Sequence, residues 1–248
     1  MRKIEKQLLK HILKIDDVQL MLLEEIPEQA EEILGELLKR YNEGEPLEYI
    51  TNEINFMGLD FFVDQNVLIP RPETELLVEE VLKYVTKETE ILDLCTGSGC
   101  ILVSILKLGN CIGTGVDISE KALQVARRNV KIHGVKAELR KSDMFNMVEK
   151  KYDIIVSNPP YIETKVIDIL ENRVKNYEPY IALDGGGDGL NYYRTIREFF
   201  ASNLKPNGML FLEIGHDQGL AIEELFKEFD TQIKKDYAGH DRIAIIKL

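Results

Sequence analysis

Apolar residues recur at helical spacing from the start of the chain, where Ile4, Leu8, Leu9, Ile12, Leu13 and Ile15 stand among lysines and glutamates. That spacing predicts an amphipathic helix over residues 2–23, broken before Pro27, and a second over Glu28 to Tyr41. Two helices alone bury too little surface to form an independent domain, so their stripes read as packing faces against each other, the main body or a partner. From Leu47 to Ile69 the period shifts towards two. Tyr49 to Thr51, Glu53 to Phe56 and Leu59 to Val63, with Met57-Gly58 between the last two, predict a β-hairpin. Pro72 then suits the first position of a helix running to about Tyr84, with Glu73 and Glu75 at its positive end.

Beyond this point strand and helix alternate. Strands are predicted at about 90–94, 111–117, 136–140, 152–157, 208–214, 232–236 and 242–247, the last two as an antiparallel hairpin. Helices are predicted at about 99–108, 119–132, 189–204 and 217–229. This order implies an α/β fold with a doubly wound, mostly parallel, seven-stranded sheet.

The composition, 44% hydrophobic and 30% charged over 248 residues, is that of a globular protein with one good-sized domain. No apolar run approaches the ~18–20 residues of a membrane span, and the charged N-terminus is unlike a secretory signal. A cytoplasmic protein is expected. The formal charge of -12 argues against a nucleic-acid surface and favours a cationic small ligand or a basic partner. Cys95, Cys100 and Cys111 lie in apolar segments and read as buried reduced thiols. The four histidines are scattered, so no metal site is expected.

Two segments carry chemistry. The apolar strand 152–157 ends at Asn158-Pro159-Pro160-Tyr161, where the prolines remove ladder donors and stiffen the exit. The result is a rigid corner with one side-chain amide, proline carbonyls and a flat ring. The strand at 90–94 runs into Cys95-Thr96-Gly97-Ser98-Gly99, a glycine-rich turn that opens a helix. It lacks the third glycine of a dinucleotide fingerprint, which argues against a nicotinamide oxidoreductase. Asp117, ending the next strand, is placed to accept from ribose hydroxyls. Ribose without pyrophosphate, together with a positive charge, fits S-adenosylmethionine better than NAD. Alone, the glycine turn is equally a structural turn of an α/β fold. Arg71, held between two prolines, is equally structural or functional.

With these residues identified, the chain resembles a known family. Asn158 to Tyr161 after a buried strand is similar to the signature of methyltransferases acting on planar nitrogens. Gly44-Glu45-Pro46-Leu47-Glu48-Tyr49-Ile50, Ile69 to Glu75, Tyr177-Glu178-Pro179 with Ala182-Leu183, Gly185-Gly186 with Asp188-Gly189-Leu190, and Leu212-Glu213-Ile214-Gly215 resemble the HemK/PrmC family of release-factor glutamine methyltransferases. The resemblance covers about residue 44 onward; about forty residues precede it, fewer than relatives usually carry.

The resemblance implies a Rossmann-like methyltransferase sheet. It also implies methyl transfer from S-adenosylmethionine to the side-chain amide nitrogen (N5) of the glutamine in the Gly-Gly-Gln motif of class I peptide chain release factors, modulating translation termination. Cys95 to Gly99 and Asp117 match the cofactor segments, Met144 the position beside adenine, and Asn158, Pro159, Pro160 and Tyr161 the substrate clamp, with Asn158 also near the cofactor. Arg71 and Glu178 are expected on the substrate side. The implied organisation is a helical docking element over 1–43, a hairpin linker over 44–70 and the methyltransferase domain over 71–248. Asn-Pro-Pro-Tyr also suits a flipped adenine, so an N6-adenine nucleic-acid methyltransferase is the alternative. A catalytically silent cofactor-binding scaffold is a third reading, disfavoured by the intact tetrapeptide. The glycines at 185–187 suit a tight turn or a lid over the pocket.

Overall fold

A computed structural model describes residues 2–248. The chain begins with α1 (Lys3–Leu13), α2 (Asp17–Met21), α3 (Glu28–Asn42) and α4 (Leu47–Thr51), followed by the hairpin β1 (Glu53–Phe56) and β2 (Leu59–Phe62). The body comprises α5 (Pro72–Leu82), β3 (Glu90–Leu94), α6 (Cys100–Gly109), β4 (Ile112–Asp117), α7 (Glu120–His133), β5 (Ala137–Lys141) and β6 (Tyr152–Ser157). Next come α8 (Thr164–Ile167), α9 (Asn172–Tyr177), a 3-10 turn (Tyr180–Ala182), α10 (Asn191–Asn203), β7 (Leu204–Glu213), α11 (Gly219–Leu225), β8 (Asp230–Lys235) and β9 (Asp241–Lys247).

The seven-stranded sheet has the order β5-β4-β3-β6-β7-β9-β8. All pairs are parallel except those of β9, which is antiparallel to both β7 and β8. The order in which successive strands are laid across the sheet reverses between β3 and β6, the topological switch point where ligands bind beyond the strand ends. The central strands are buried on both faces, and alternate residues serve two cores. Ile154 and Val156 of β6, with Phe211 of β7 and Ile245 of β9, pack beneath α5, α6 and the β1–β2 hairpin. Ile155, Leu210, Leu212 and Ile246 face Tyr193, Ile196 and Phe200 of α10 and Ile222 of α11. The period of two along each strand therefore decides which helix layer each side chain meets.

The seven predicted strands are all present, and two N-terminal predictions need correction. The helix expected over 2–23 is two helices: Lys14 turns left-handed at φ 54° and ends α1, and Asp16 caps α2. The Asp16 carboxylate accepts from Gln19 N at 2.8 Å while the Gln19 side chain accepts from Asp16 N at 3.0 Å, a reciprocal capping box. Tyr49 to Thr51 belong to helix α4 rather than to a strand. Tyr49 and Ile50 are both buried, which a one-sided strand does not permit, and the Tyr49 hydroxyl donates to the Val67 carbonyl at 2.6 Å. That bond fastens the segment leading to Arg71 to α4. Of the cysteines only Cys100 is buried; Cys95 and Cys111 are half-buried, and all three are free. No helix among the described residues is long and apolar enough to cross a membrane.

Candidate active site

Strands β3 and β6 lie side by side in register, Leu94 beside Ser157, so the loops that leave them emerge together at the switch point. The Ser157 hydroxyl donates to the Leu94 carbonyl at 2.8 Å and locks the two exits. Between them opens a cavity of about 940 Å³, measured out to its mouth. Cys95, Thr96, Gly97 and Ser98 form one wall, Asp117 and Met144 another, and Asn158 and Pro160 the end beyond β6. Arg71 and Thr74 enter from the start of α5, and Ile181 and Ala182 from the 3-10 turn.

Local geometry explains the glycine turn. Gly99 takes φ 79°, and a Cβ there would lie 3.2 Å from the Ala126 Cβ, so the residue permits both the turn and close packing of α6 on α7. Gly99, the residue before α6, has no side chain to cap the helix start. Asp117 braces the same turn: one carboxylate oxygen accepts from Gly97 N at 2.9 Å and the other from Ser119 N at 2.8 Å. Burial raises the Asp117 pKa, and these backbone donors partly oppose the rise. Asp93, wholly buried beneath the turn, accepts from the Thr96 hydroxyl at 2.5 Å and has an unpartnered Oδ1. Its pKa is pushed up to about 7, chiefly by burial. Burial likewise pushes the Cys95 thiol well above its ordinary value, so it is a neutral wall rather than a nucleophile.

The corner after β6 is held from behind. Asn158 Nδ2 donates to Thr74 Oγ1 at 3.4 Å. Tyr161 donates its hydroxyl to the buried Glu213 carboxylate at 3.3 Å. Gln218 stitches three segments: its Nε2 donates to the carbonyls of Tyr161 at 3.0 Å and Gly189 at 3.3 Å, and its Oε1 accepts from Gly215 N at 2.8 Å. Gly189 sits at φ 73°, where a Cβ would come within 2.4 Å of the Tyr161 carbonyl oxygen. The glycine segment is thus a backing for the corner, anchored by Gly185 N donating to the Ile162 carbonyl at 2.8 Å.

The cavity gathers nine of the expected site residues: Arg71, Cys95, Thr96, Gly97, Ser98, Asp117, Met144, Asn158 and Pro160. Gly99, Pro159, Tyr161 and Glu178 lie outside its lining. The Tyr161 ring packs beside the α10 core. Glu178 is buried and ion-pairs with Arg71, also accepting from Ile69 N at 3.3 Å. It secures Arg71 rather than opening to the cavity itself. Pattern reading did not find Tyr192, which lines the cavity from α10, nor Thr74 and Gln218. Thr74 lies inside the quoted Arg71 to Glu75 run, which is the one signal that pointed to it. Among the described residues no group of three or more His, Cys, Asp or Glu side chains is arranged to hold a metal ion.

The Methyltransferase small domain model matches residues 72–186, and the PrmC N-terminal domain model matches residues 5–51. Similarity thus extends well ahead of residue 44, where the sequence resemblance begins. The release factor glutamine methyltransferase of Thermodesulfovibrio yellowstonii is 42% identical, covering 98% of this chain and 91% of the relative. That of Aquifex aeolicus is 38% identical, covering 96% and 88%. Among solved structures, a methyltransferase from Pyrococcus furiosus superposes with a TM-score of 0.60 at 20% identity, covering 86% of this chain and 98% of its own, which establishes the shared Rossmann-like fold. Its fold, its two domain matches and its near full-length relatives together show that this chain belongs to the release factor glutamine methyltransferase family.

Proposed function

We propose that this chain transfers a methyl group from S-adenosylmethionine to the side-chain amide nitrogen, N5, of a glutamine in class I peptide chain release factors, within their Gly-Gly-Gln loop. Methyl transfer to a release-factor glutamine is the reaction for which its relatives are named. The observation that carries the residue-level reading is the convergence of Asn158 and the Cys95 to Ser98 part of the glycine turn on one cavity at the β3–β6 switch point.

The donor set fits the cofactor. First-turn N–H groups of α6 suit its carboxylate, Asp117 suits the ribose hydroxyls, and the apolar surfaces of Met144, Ile118 and Tyr192 suit an adenine ring. When bound, the cofactor supplies an electrophilic methyl on a sulfonium. The chain must then aim a weak nucleophile, because the amide lone pair is delocalised into its carbonyl. Asn158 Oδ1 and the Pro159 carbonyl each accept one N–H of the target NH₂. That turns the nitrogen lone pair inwards and stabilises the positive charge growing on nitrogen. No general base is required before the transfer. Tyr161 shapes the corner from its anchored position on Glu213. Arg71, steadied by Glu178, offers a fixed cation at the rim for substrate main-chain carbonyls.

Residues 1–43 act as a docking element for the release factor and 44–70 as the linker that hands it to the domain at 71–248. Two contacts support this: the Arg173 guanidinium lies 4.2 Å above the Tyr41 ring, and the Tyr177 hydroxyl donates to the Glu43 carbonyl at 3.2 Å. They join the helices to α9, just before the cavity's 3-10 turn. The acidic balance suits a basic protein partner over nucleic acid, and a cytoplasmic site of action follows from that partner. The comparisons do not favour the adenine alternative. Incubation with labelled S-adenosylmethionine and either a release factor or DNA tests the reading: label is expected on the release-factor glutamine, and label on DNA alone would overturn it.

A further inference from the structure

A side-chain amide has two unlike ends, and only one of them serves the clamp. With Oδ1 towards the cavity, Asn158 accepts a substrate N–H; turned over, it presents its own N–H groups to another NH₂, and donor meets donor. The surroundings of Asn158 are not symmetric. Its Nδ2 donates to Thr74 Oγ1 at 3.4 Å, and among the described residues no protein donor reaches Oδ1. Thr74 is almost fully buried at 2% exposure, lines the cavity, and has its backbone fixed by N–H donation to the Arg71 carbonyl at 3.0 Å. A hydroxyl has two lone pairs, so Thr74 Oγ1 can accept from the Asn158 NH₂, a donation that the amide oxygen of Asn158 could not replace.

We propose that Thr74 is a positioning residue that fixes which end of the Asn158 amide faces the cavity. This rests on the role given to Asn158 above. It also gives the Arg-Pro-Glu-Thr-Glu segment a task separate from starting α5: Pro72 begins the helix, and Thr74 orients a side chain across the cavity wall. Loss of the hydroxyl leaves the amide NH₂ without its protein partner, which favours turning it towards the cavity.

The test uses the full chain with a release factor as methyl acceptor and compares Thr74→Val, Thr74→Ser and Thr74→Ala. Thr74→Val keeps the shape and removes the hydroxyl, and kcat is expected to fall about tenfold, or about 1.4 kcal/mol. Cofactor Kd by calorimetry should stay within about twofold, because the change acts on Asn158 rather than on the cofactor. Thr74→Ser, which restores the hydroxyl, should recover most of the lost rate. Thr74→Ala carries the test if Thr74→Val fails to fold, with kcat again expected to fall about tenfold and cofactor Kd to stay within about twofold. A Thr74→Val or Thr74→Ala protein with normal kcat, equal damage in the Val and Ser variants, or cofactor Kd rising in step with the lost rate would each overturn the proposal. A wild-type protein that leaves the release factor unlabelled overturns instead the reading beneath it, and that control tells the two failures apart.

Discussion

Arg71 and Glu178, 107 positions apart in the chain, form an ion pair at the rim of the cavity. The two ends differ in exposure: the Glu178 side chain is 2% exposed and that of Arg71 33%. Removing the cation therefore strands a buried carboxylate, whereas neutralising the carboxylate leaves a cation that water still reaches. Arg71→Ala is expected to lower unfolding stability by about 3 kcal/mol, and Glu178→Gln by less. Urea titration of the two variants checks the order. Burial already raises the Glu178 pKa against the pull of Arg71, so stability in Arg71→Ala should fall as pH rises above the unfolded carboxylate value.

Asn158→Ala removes the proposed acceptor and leaves the glycine turn and Asp117 in place. Methyl transfer should fall by about 10²–10³ in kcat, a loss typical of one oriented group that stabilises developing charge. Calorimetry should show cofactor affinity largely retained. Near-normal turnover would sink the clamp.

Asp117→Ala removes the carboxylate expected beneath the ribose and two acceptors that brace Gly97 and Ser119. Cofactor affinity should drop by about 10–100-fold, with a smaller effect on kcat at saturating cofactor. Unchanged affinity in calorimetry would remove Asp117 from the cofactor site.

Asp93 couples pH to stability. Its folded pKa of about 7 lies above the ordinary 3.8, chiefly because of burial. The folded state therefore binds the proton more tightly than the unfolded chain. Its contribution is full below the ordinary value and is lost as pH rises through about 7. Asp93→Asn, an uncharged isostere, should gain stability relative to wild type at pH 8 and show little advantage at pH 4. Melting curves across that range check the sign.

The strands and the two loops at the switch point were legible because short apolar runs, paired prolines and glycines act locally. The cofactor turn and the corner after β6 could be placed on one sheet edge for the same reason. Tyr192, Thr74 and Gln218 were not legible. Each sits in a helix or at a helix start whose local pattern is ordinary, and each becomes significant only through a partner far away in sequence: Thr74 meets Asn158, and Gln218 meets Tyr161. Tyr49 to Thr51 misled for a related reason. Three β-prone residues were read as a strand, but burial of adjacent Tyr49 and Ile50 stabilises a helical turn instead.

The insertion of β9 between β7 and β8 makes assembly of the pocket hostage to a late segment. Glu213, which anchors Tyr161, pairs across the sheet with Ile243, and β8 reaches the sheet only through β9. Before residues 241–247 dock, β7 offers an unpaired edge carrying Met209 to Leu212, an apolar run suited to strand addition by another chain. A delay in docking this segment would expose the protein to aggregation during refolding, and a proteolytic cut in the turn at 236–240 would loosen the methyl-transfer corner without touching a single residue that lines it.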